Sequence, residues 1–299
     1  MKSFLLLFLS IFSVLPLYSQ HTQHLNREIK QFEAQKVESR RIYFGNIMDK
    51  VTKVVLSGDN SMTDLIYKNA VQKGWYISPF EFCSYEEFDR IKCDTNYCFL
   101  MRIKAGTRKN EDVEMEFLTY VKGDKEASEG IEKMPEILSL PISPEEDREG
   151  RIFTYFPAYI NIFQCYIDKV ARGIIYPSIA GLITEKIDKP LITTIYFRKD
   201  DFSFPVTKEY LDKKFKGKAK LVTQEEIDEA IREERPNTLV SLVVAHPEPI
   251  RKTYCYKMLI STDTYDLYYY KKHKISKRKR QGFKKSDVRS IAMPYKAIK

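Results

Sequence analysis

Two pairs of carboxylates in matching places are the first residues of this chain that could do chemistry. Glu86 and Glu87 follow Ser84, and Glu225 and Glu226 follow Thr223, so that Ser84-Tyr-Glu-Glu-Phe-Asp-Arg-Ile-Lys92 is nearly restated at Thr223-Gln-Glu-Glu-Ile-Asp-Glu-Ala-Ile231. Positioned carboxylates suit general acid–base work. The same spacing, a hydroxyl three residues before a Glu, is also that of the capping box, in which the hydroxyl takes one orphan helix N–H and the Glu side chain reaches back to another. Capping, together with the positive end of the helix dipole, accounts for all four acids, and no catalytic residue is assigned to them.

Asp59, Asp200 and Asp201 form a weaker candidate set. They follow the opening segment of each half of the chain, where open α/β sheets place ligand contacts. Turn and N-cap roles are the commoner use of Asp at such places. The four histidines (His21, His24, His246, His273) do not form a metal set, and no Cys-x-x-Cys, His-Glu-x-x-His or Ca²⁺-loop spacing occurs. Neither a phosphate-cradling Gly-rich loop nor a Gly-x-Ser-x-Gly elbow is found, in keeping with only 11 glycines. No metal and no cofactor is expected. The 5 cysteines are too few and too spread for a disulfide framework. A Cys83–Cys98 bridge at neighbouring strand ends is conceivable; buried free thiols are the favoured reading.

The charge is unevenly placed. The formal net charge is +9, and Lys271, Lys272, Lys274, Lys277, Arg278, Lys279, Arg280, Lys284 and Lys285 fall in one stretch without an acid, leaving the rest of the chain near neutral. Tyr268, Tyr269, Tyr270 and Phe283 are interleaved with these cations. Cations with aromatics suit a polyanion, charge giving affinity and rings stacking or inserting. The bland alternative is a strand end and a solvated loop whose charge keeps the protein in solution.

The elements that would position these residues follow from periodicity and caps. Residues 20–41 read as a polar surface helix and 42–44 as a strand. Residues 48–57 fit both types: Ile47, Val51, Val54 and Val55 make a helical face, the β-branched run 51–56 a strand, and the helix is the slightly better match. Ser61 starts a helix that Gly74 ends; strands are expected at 75–83, 97–104, 113–121 and 137–142, with a helix at 85–92 and a short one near 127–133. Along 113–121, apolar and polar residues alternate as in a half-buried antiparallel strand. Ser143 to Gly150 is polar, with Pro and Gly, and reads as a linker. Phe156, Tyr159, Ile160, Phe163, Ile167 and Val170 then form the stripe of a long helix, wide enough to pack on both halves. More helix or irregular packing follows to Pro190. The second half repeats the first: a strand at 192–198 whose Ile195-Tyr196-Phe197 echoes Ile42-Tyr43-Phe44, a helix capped by Thr207 and ended by Gly217, strand 218–222, helix 224–233, and strands 238–245, 253–261 and 265–272.

The expected fold class is therefore α/β (α+β, mixed sheets), with two related units in tandem joined by a long central helix. The segments are a signal peptide at 1–19, a polar helix at 20–41, a first unit at 42–142, linker and central helix at 143–190, and a second unit with the basic segment at 191–299. The signal reading rests on Lys2, the apolar run 4–17, and Leu17-Tyr18-Ser19 before Gln20. That run is shorter than the ~20 residues a membrane span needs. Export makes anionic envelope components (lipid head groups, lipopolysaccharide, acidic glycans) or a partner protein more accessible than nucleic acid.

The chain resembles an uncharacterised family of exported proteins from Bacteroidetes-type bacteria. The resemblance is carried by Ser57-Gly-Asp-Asn60, by Trp75 with Tyr-Glu-Glu-Phe around Glu86, and by His273-Lys-Ile-Ser276 followed by Gly282-Phe283 and Asp287. It covers most of the mature chain. It implies export and a shared fold, and brings no activity or catalytic residue with it. The expectation for function is a periplasmic, non-catalytic binding protein that uses the basic segment as its contact. The alternative is a hydrolase-like enzyme with its site between the two halves near Asp59, Asp200 and Asp201.

Overall fold

The structure is a computed structural model. It describes residues 44–58, 61–107, 110–144, 150–174, 192–246, 250 and 253–296, of which 106, 107, 110–114, 143, 144 and 294–296 are described by backbone alone. The expected signal peptide, the 20–41 helix, Asp59, most of the 143–150 linker and nearly all of 174–190 lie outside these residues.

The first sheet contains β1 (Val51–Leu56), β2 (Phe80–Ser84), β3 (Tyr97–Thr107), β4 (Asn110–Lys122) and β5 (Glu136–Pro144), in the order β2-β1-β3-β4-β5. β1 runs parallel to β2 and β3, and the remaining pairs are antiparallel. Helix α1 (Met62–Gly74) carries the chain from β1 to β2 and α2 (Tyr85–Ile91) from β2 to β3. A 3-10 turn (Arg151–Tyr155) leads into α3 (Phe156–Ala171). The second sheet contains β6 (Thr194–Arg198), β7 (Ala219–Val222), β8 (Thr238–Val244), β9 (Tyr254–Ser261) and β10 (Leu267–Lys274), in the order β7-β6-β8-β9-β10. Its crossovers are α4 (Lys208–Phe215) and α5 (Gln224–Arg232). The parallel and antiparallel pairs follow the same sequence as in the first sheet. The two halves thus share one topology.

Several expectations need correction. Residues 51–56 are a strand, not a helix: β1 lies between two parallel neighbours with Thr52 to Val55 buried, and a strand covered on both faces has a continuous apolar run instead of an alternation. The counterpart of β6 is therefore β1 and not 42–44, where Phe44 has helical backbone. The half-buried alternation in β4 fails for the same reason, since Leu118, Thr119, Tyr120 and Val121 are all buried. No strand runs from Trp75 to Pro79; the Trp75 indole donates to Ser78 Oγ at 3.0 Å and its ring packs on Tyr120. The helix near 127–133 is two 3-10 turns. The strands expected at 97–104 and 113–121 are longer than their patterns imply, because β3 and β4 extend toward each other to Thr107 and Asn110.

The caps carry different loads in the two halves. At α5, Thr223 Oγ1 accepts from Glu226 N and Glu226 Oε2 accepts from Thr223 N, a complete capping box. At α2, Ser84 Oγ accepts from Glu87 N, but the Glu87 carboxylate turns to Lys53, 3.0 Å away. Lys53 is buried on β1 and also meets Glu81 at 2.7 Å. Burial works against its charge, and Glu81 and Glu87 outweigh it, holding the ammonium above its ordinary pKa. Thr223→Ala should lower stability by about 1 kcal/mol, read as a lower urea midpoint with unchanged slope; a neutral result would mean that α5 is held by packing alone.

The long helix serves both sheets, as its stripe implies. Tyr159 Oη donates to the Pro141 carbonyl of β5, and Tyr155 Oη, in the preceding turn, to the Ser241 carbonyl of β8 at 2.8 Å. Gln164 is buried and completes the loop after α1: its amide donates to Gly74 O, and its oxygen accepts from Tyr76 N and Ile77 N. Phe117 of β4 meets Tyr256 of β9 edge-on between the sheets, with centroids 5.9 Å apart. By its backbone contacts the chain divides into two compact bodies. One is Met1–Asn46 with Lys169–Tyr176, of which 44–46 and 169–174 are described; the other, Ile47–Asp168 with Pro177–Lys299, contains both sheets.

One element had no sequence expectation. Helix α6 (Lys285–Lys296) follows the basic segment, and its Val288, Ile291 and Ala292 join Phe197, Phe202, Phe215 and Phe283 in the core of the second half.

Candidate functional site

Because β9 and β10 reverse direction in turn, the C-terminal end of β10 lies at the same end of the sheet as the C-terminal ends of β6 and β8. The basic segment and Asp200–Asp201 are therefore brought to one sheet end. This is also the end where chain order reverses, with β7 on one side of β6 and β8 on the other, and such switch points are where open α/β sheets bind ligands.

The junction is covalently simple and tightly hydrogen-bonded. Phe283 N donates to Asp201 O at 2.7 Å, and Ser203 N and Oγ both donate to Phe283 O at 3.0 Å. Phe283 itself is buried among Phe197, Phe202 and Tyr269. Gly282 (φ +91°) passes so close that a Cβ would lie 2.4 Å from Asp201 O, so only glycine fits. Upstream, Ser276 and Lys279 exchange backbone hydrogen bonds across a tight turn. His273 Nε2 lies 2.8 Å from Arg280 O, and Gln281 donates to His246 O. The buried imidazole is pushed below its ordinary pKa, first by burial. The basic turn is pinned at both ends.

Two adjoining cavities open here, with Lys199 and Asp200 on the wall of both. The larger, about 780 Å³, lies between residues 199–206 and 275–281 and carries Lys199, Lys277 and Arg280 with Phe202 and Phe204. The smaller, about 650 Å³, lies over the ends of β6 and β7, with Arg151, Arg198, Gln224, Glu225 and Asp228. Arg198 donates to Gln224 Oε1 at 2.9 Å and stands 3.7 Å from Asp200.

The candidate residues separate into three groups. Lys277, Arg278, Lys279 and Arg280 are exposed on the turn, Lys274 is exposed at the end of β10, and Asp200 is exposed on the cavity wall. Lys272 covers the Tyr254 ring and Lys285 the Phe204 ring, at 5.5 and 5.6 Å. The rest are structural: Lys271 is 3.3 Å from Asp287, and Lys284 donates its backbone N–H to the same carboxylate at 2.8 Å. Asp201 is buried, accepts from Ser241 Oγ at 2.7 Å, and is pushed up to about 6 by burial against the pull of Arg151 and Ser241. Asp201 is 3% exposed and Ser241 1%, and neither lines either of these two cavities. All five cysteines are free thiols, so the Cys83–Cys98 bridge is not formed. Among the described residues no group of His, Cys, Asp and Glu could hold a metal ion, and no helix is long and apolar enough to cross a membrane.

Lys199, Arg198, Arg151, Phe202 and Phe204 were missed in sequence. Their signal is Arg198-Lys-Asp-Asp-Phe-Ser-Phe204 directly after β6, of which only the two acids drew notice. In the first half the matching end is occupied by a polar network. Arg102 binds Asp64 at 2.6 Å and Glu116 at 3.2 Å, and Asp64 also accepts from Ser57 Oγ and Gly58 N. No family model matches the chain, and no curated protein or solved structure matches it.

Proposed function

We propose that this protein is an exported, non-catalytic binding protein of the cell envelope, which contacts an anionic partner through the sheet end where the basic turn meets residues 199–206. The observation that carries this reading is the stitching of Lys277 to Arg280 onto the 199–206 segment through Phe283, which holds exposed cations beside a cavity at the switch point. Export is supported by Lys2, the apolar run 4–17 and the small residue Ser19, and by the resemblance to exported proteins of Bacteroidetes-type bacteria. N-terminal sequencing of the protein recovered from the envelope fraction should begin at Gln20; an intact Met1 would remove the export reading.

Cations near an anionic surface contribute roughly 1 kcal/mol each. Changing Lys277, Arg278, Lys279 and Arg280 together to Glu should therefore weaken adsorption to anionic vesicles at least a hundredfold, and adsorption of the unaltered protein should fall steeply with salt. Equal adsorption by the variant, or adsorption indifferent to salt, would contradict the proposal.

A further inference from the structure

We infer that the larger cavity selects single-chain amphiphilic anions, an alkyl or acyl chain ending in a phosphate or carboxylate. This rests on the anion-binding reading and names its ligand. The cavity, about 780 Å³, falls in the size range of small-molecule sites and has room for more than a bare anion. Its lining combines two chemistries. Phe202, Phe204, Val206 and Ile275 supply apolar side chains, and Lys199, Lys277 and Arg280 supply cations, against a single acid, Asp200, among the described lining residues. Such a combination fits a ligand with a hydrocarbon body and an anionic head.

The aromatic wall favours a chain over a flat ring. Phe204 meets Phe202 and Tyr210 edge-on, each at 78°, and the Lys285 ammonium lies 5.6 Å from its centroid. With three neighbours engaged, the ring has little open face on which to stack a base or a sugar, while its edge and the Val206 and Ile275 side chains suit methylene groups. The walls are also set before any ligand arrives. Ser203, between the two phenylalanines, is fixed to Phe283 O by two hydrogen bonds, and Ile275 N donates to Thr253 O at 2.8 Å. A preformed groove loses little ordering entropy on binding.

The test is isothermal titration of the full chain with butyl, octyl and dodecyl phosphate below their micelle-forming concentrations, with inorganic phosphate, dodecyl maltoside and dodecyltrimethylammonium as comparisons. Affinity should rise three- to fourfold per added methylene until the groove is filled. The uncharged and cationic dodecyl compounds should bind at least tenfold more weakly than dodecyl phosphate. Phe204→Ala should flatten the chain-length dependence; the series on the unaltered chain carries the test if that variant fails to fold. Affinity independent of chain length, or inorganic phosphate binding as tightly as dodecyl phosphate, overturns the amphiphile inference while vesicle adsorption still supports anion binding. Loss of vesicle adsorption as well overturns both.

Discussion

Asp287→Ala should destabilise the protein by about 3–5 kcal/mol, the range for stripping one partner from a buried ion pair. Asp287 and Lys257 are both 0% exposed and hydrogen-bonded to each other. Asp287 also receives the Lys284 N–H at 2.8 Å at the start of α6 and stands 3.3 Å from Lys271 on the edge strand β10. One carboxylate thus joins β9, β10 and α6. Removing it leaves a sealed ammonium without its counter-charge. Burial works against the carboxylate's charge, but Lys257 and the Lys284 amide outweigh it and hold it below its ordinary value of 3.8. A depressed acid contributes stability that is complete above that ordinary value and is lost as pH falls through the folded pKa. The difference between the unaltered protein and Asp287→Ala should therefore shrink in acid. Replacing both partners, as Lys257→Met with Asp287→Leu, should recover most of the loss, since an apolar pair avoids the desolvation cost. Urea midpoints for the three variants check this. A double variant no better than Asp287→Ala would show that the carboxylate's links to Lys284 and Lys271, not the pair itself, matter most.

Asp201→Asn should do the opposite and stabilise the protein at neutral pH. The Asp201 carboxyl is raised from 3.8 to about 6, chiefly by burial. Between those values the folded state holds a proton that the unfolded state has released, so stability falls as pH rises from about 4 to about 6 and stays flat above. The two-unit shift corresponds to roughly 2–3 kcal/mol. Asn resembles the protonated acid and can still accept from Ser241 Oγ. The variant should melt higher at pH 7.5 and together with the unaltered protein below pH 4. A variant less stable at pH 7.5 would mean that Arg151 and Arg198 depend on the negative charge more than burial opposes it.

Elements in both halves were readable in sequence where caps mark them and unreadable where burial hides their period. Helices with a hydroxyl cap and a glycine stop, such as α4 between Thr207 and Gly217, announce themselves, because those residues satisfy orphan backbone groups whatever the tertiary context. The repeat of the Ser84 pattern at Thr223 was readable for the same reason, and it led to two sheets of one topology. The central strand β1 was misread because burial on both faces erases the period of two on which a strand is recognised. Helix α6 was missed although Val288, Ile291 and Ala292 have helical spacing, because the run of cations leading into it resembles a solvated loop. What contradicts that impression is Phe283, an aromatic among cations, and Asp287, an acid directly after them; both are buried anchors.

The site was legible as two separate pieces. Asp200 and the basic segment are more than 70 residues apart in sequence, and their meeting depends on the reversals at β9 and β10, which periodicity does not state. Asp200 and Asp201 are adjacent in sequence and opposite in fate, one exposed on the cavity wall and one sealed beneath it. Only packing separates them.

Hydrogen–deuterium exchange on the full chain, with and without anionic vesicles, tests the central claim most directly. Bound ligand should slow exchange of the backbone amides in 199–206 and 275–281 together, with the first sheet unchanged. Protection elsewhere, or no protection in these two segments while the protein remains adsorbed, would contradict the assignment of this sheet end as the binding surface.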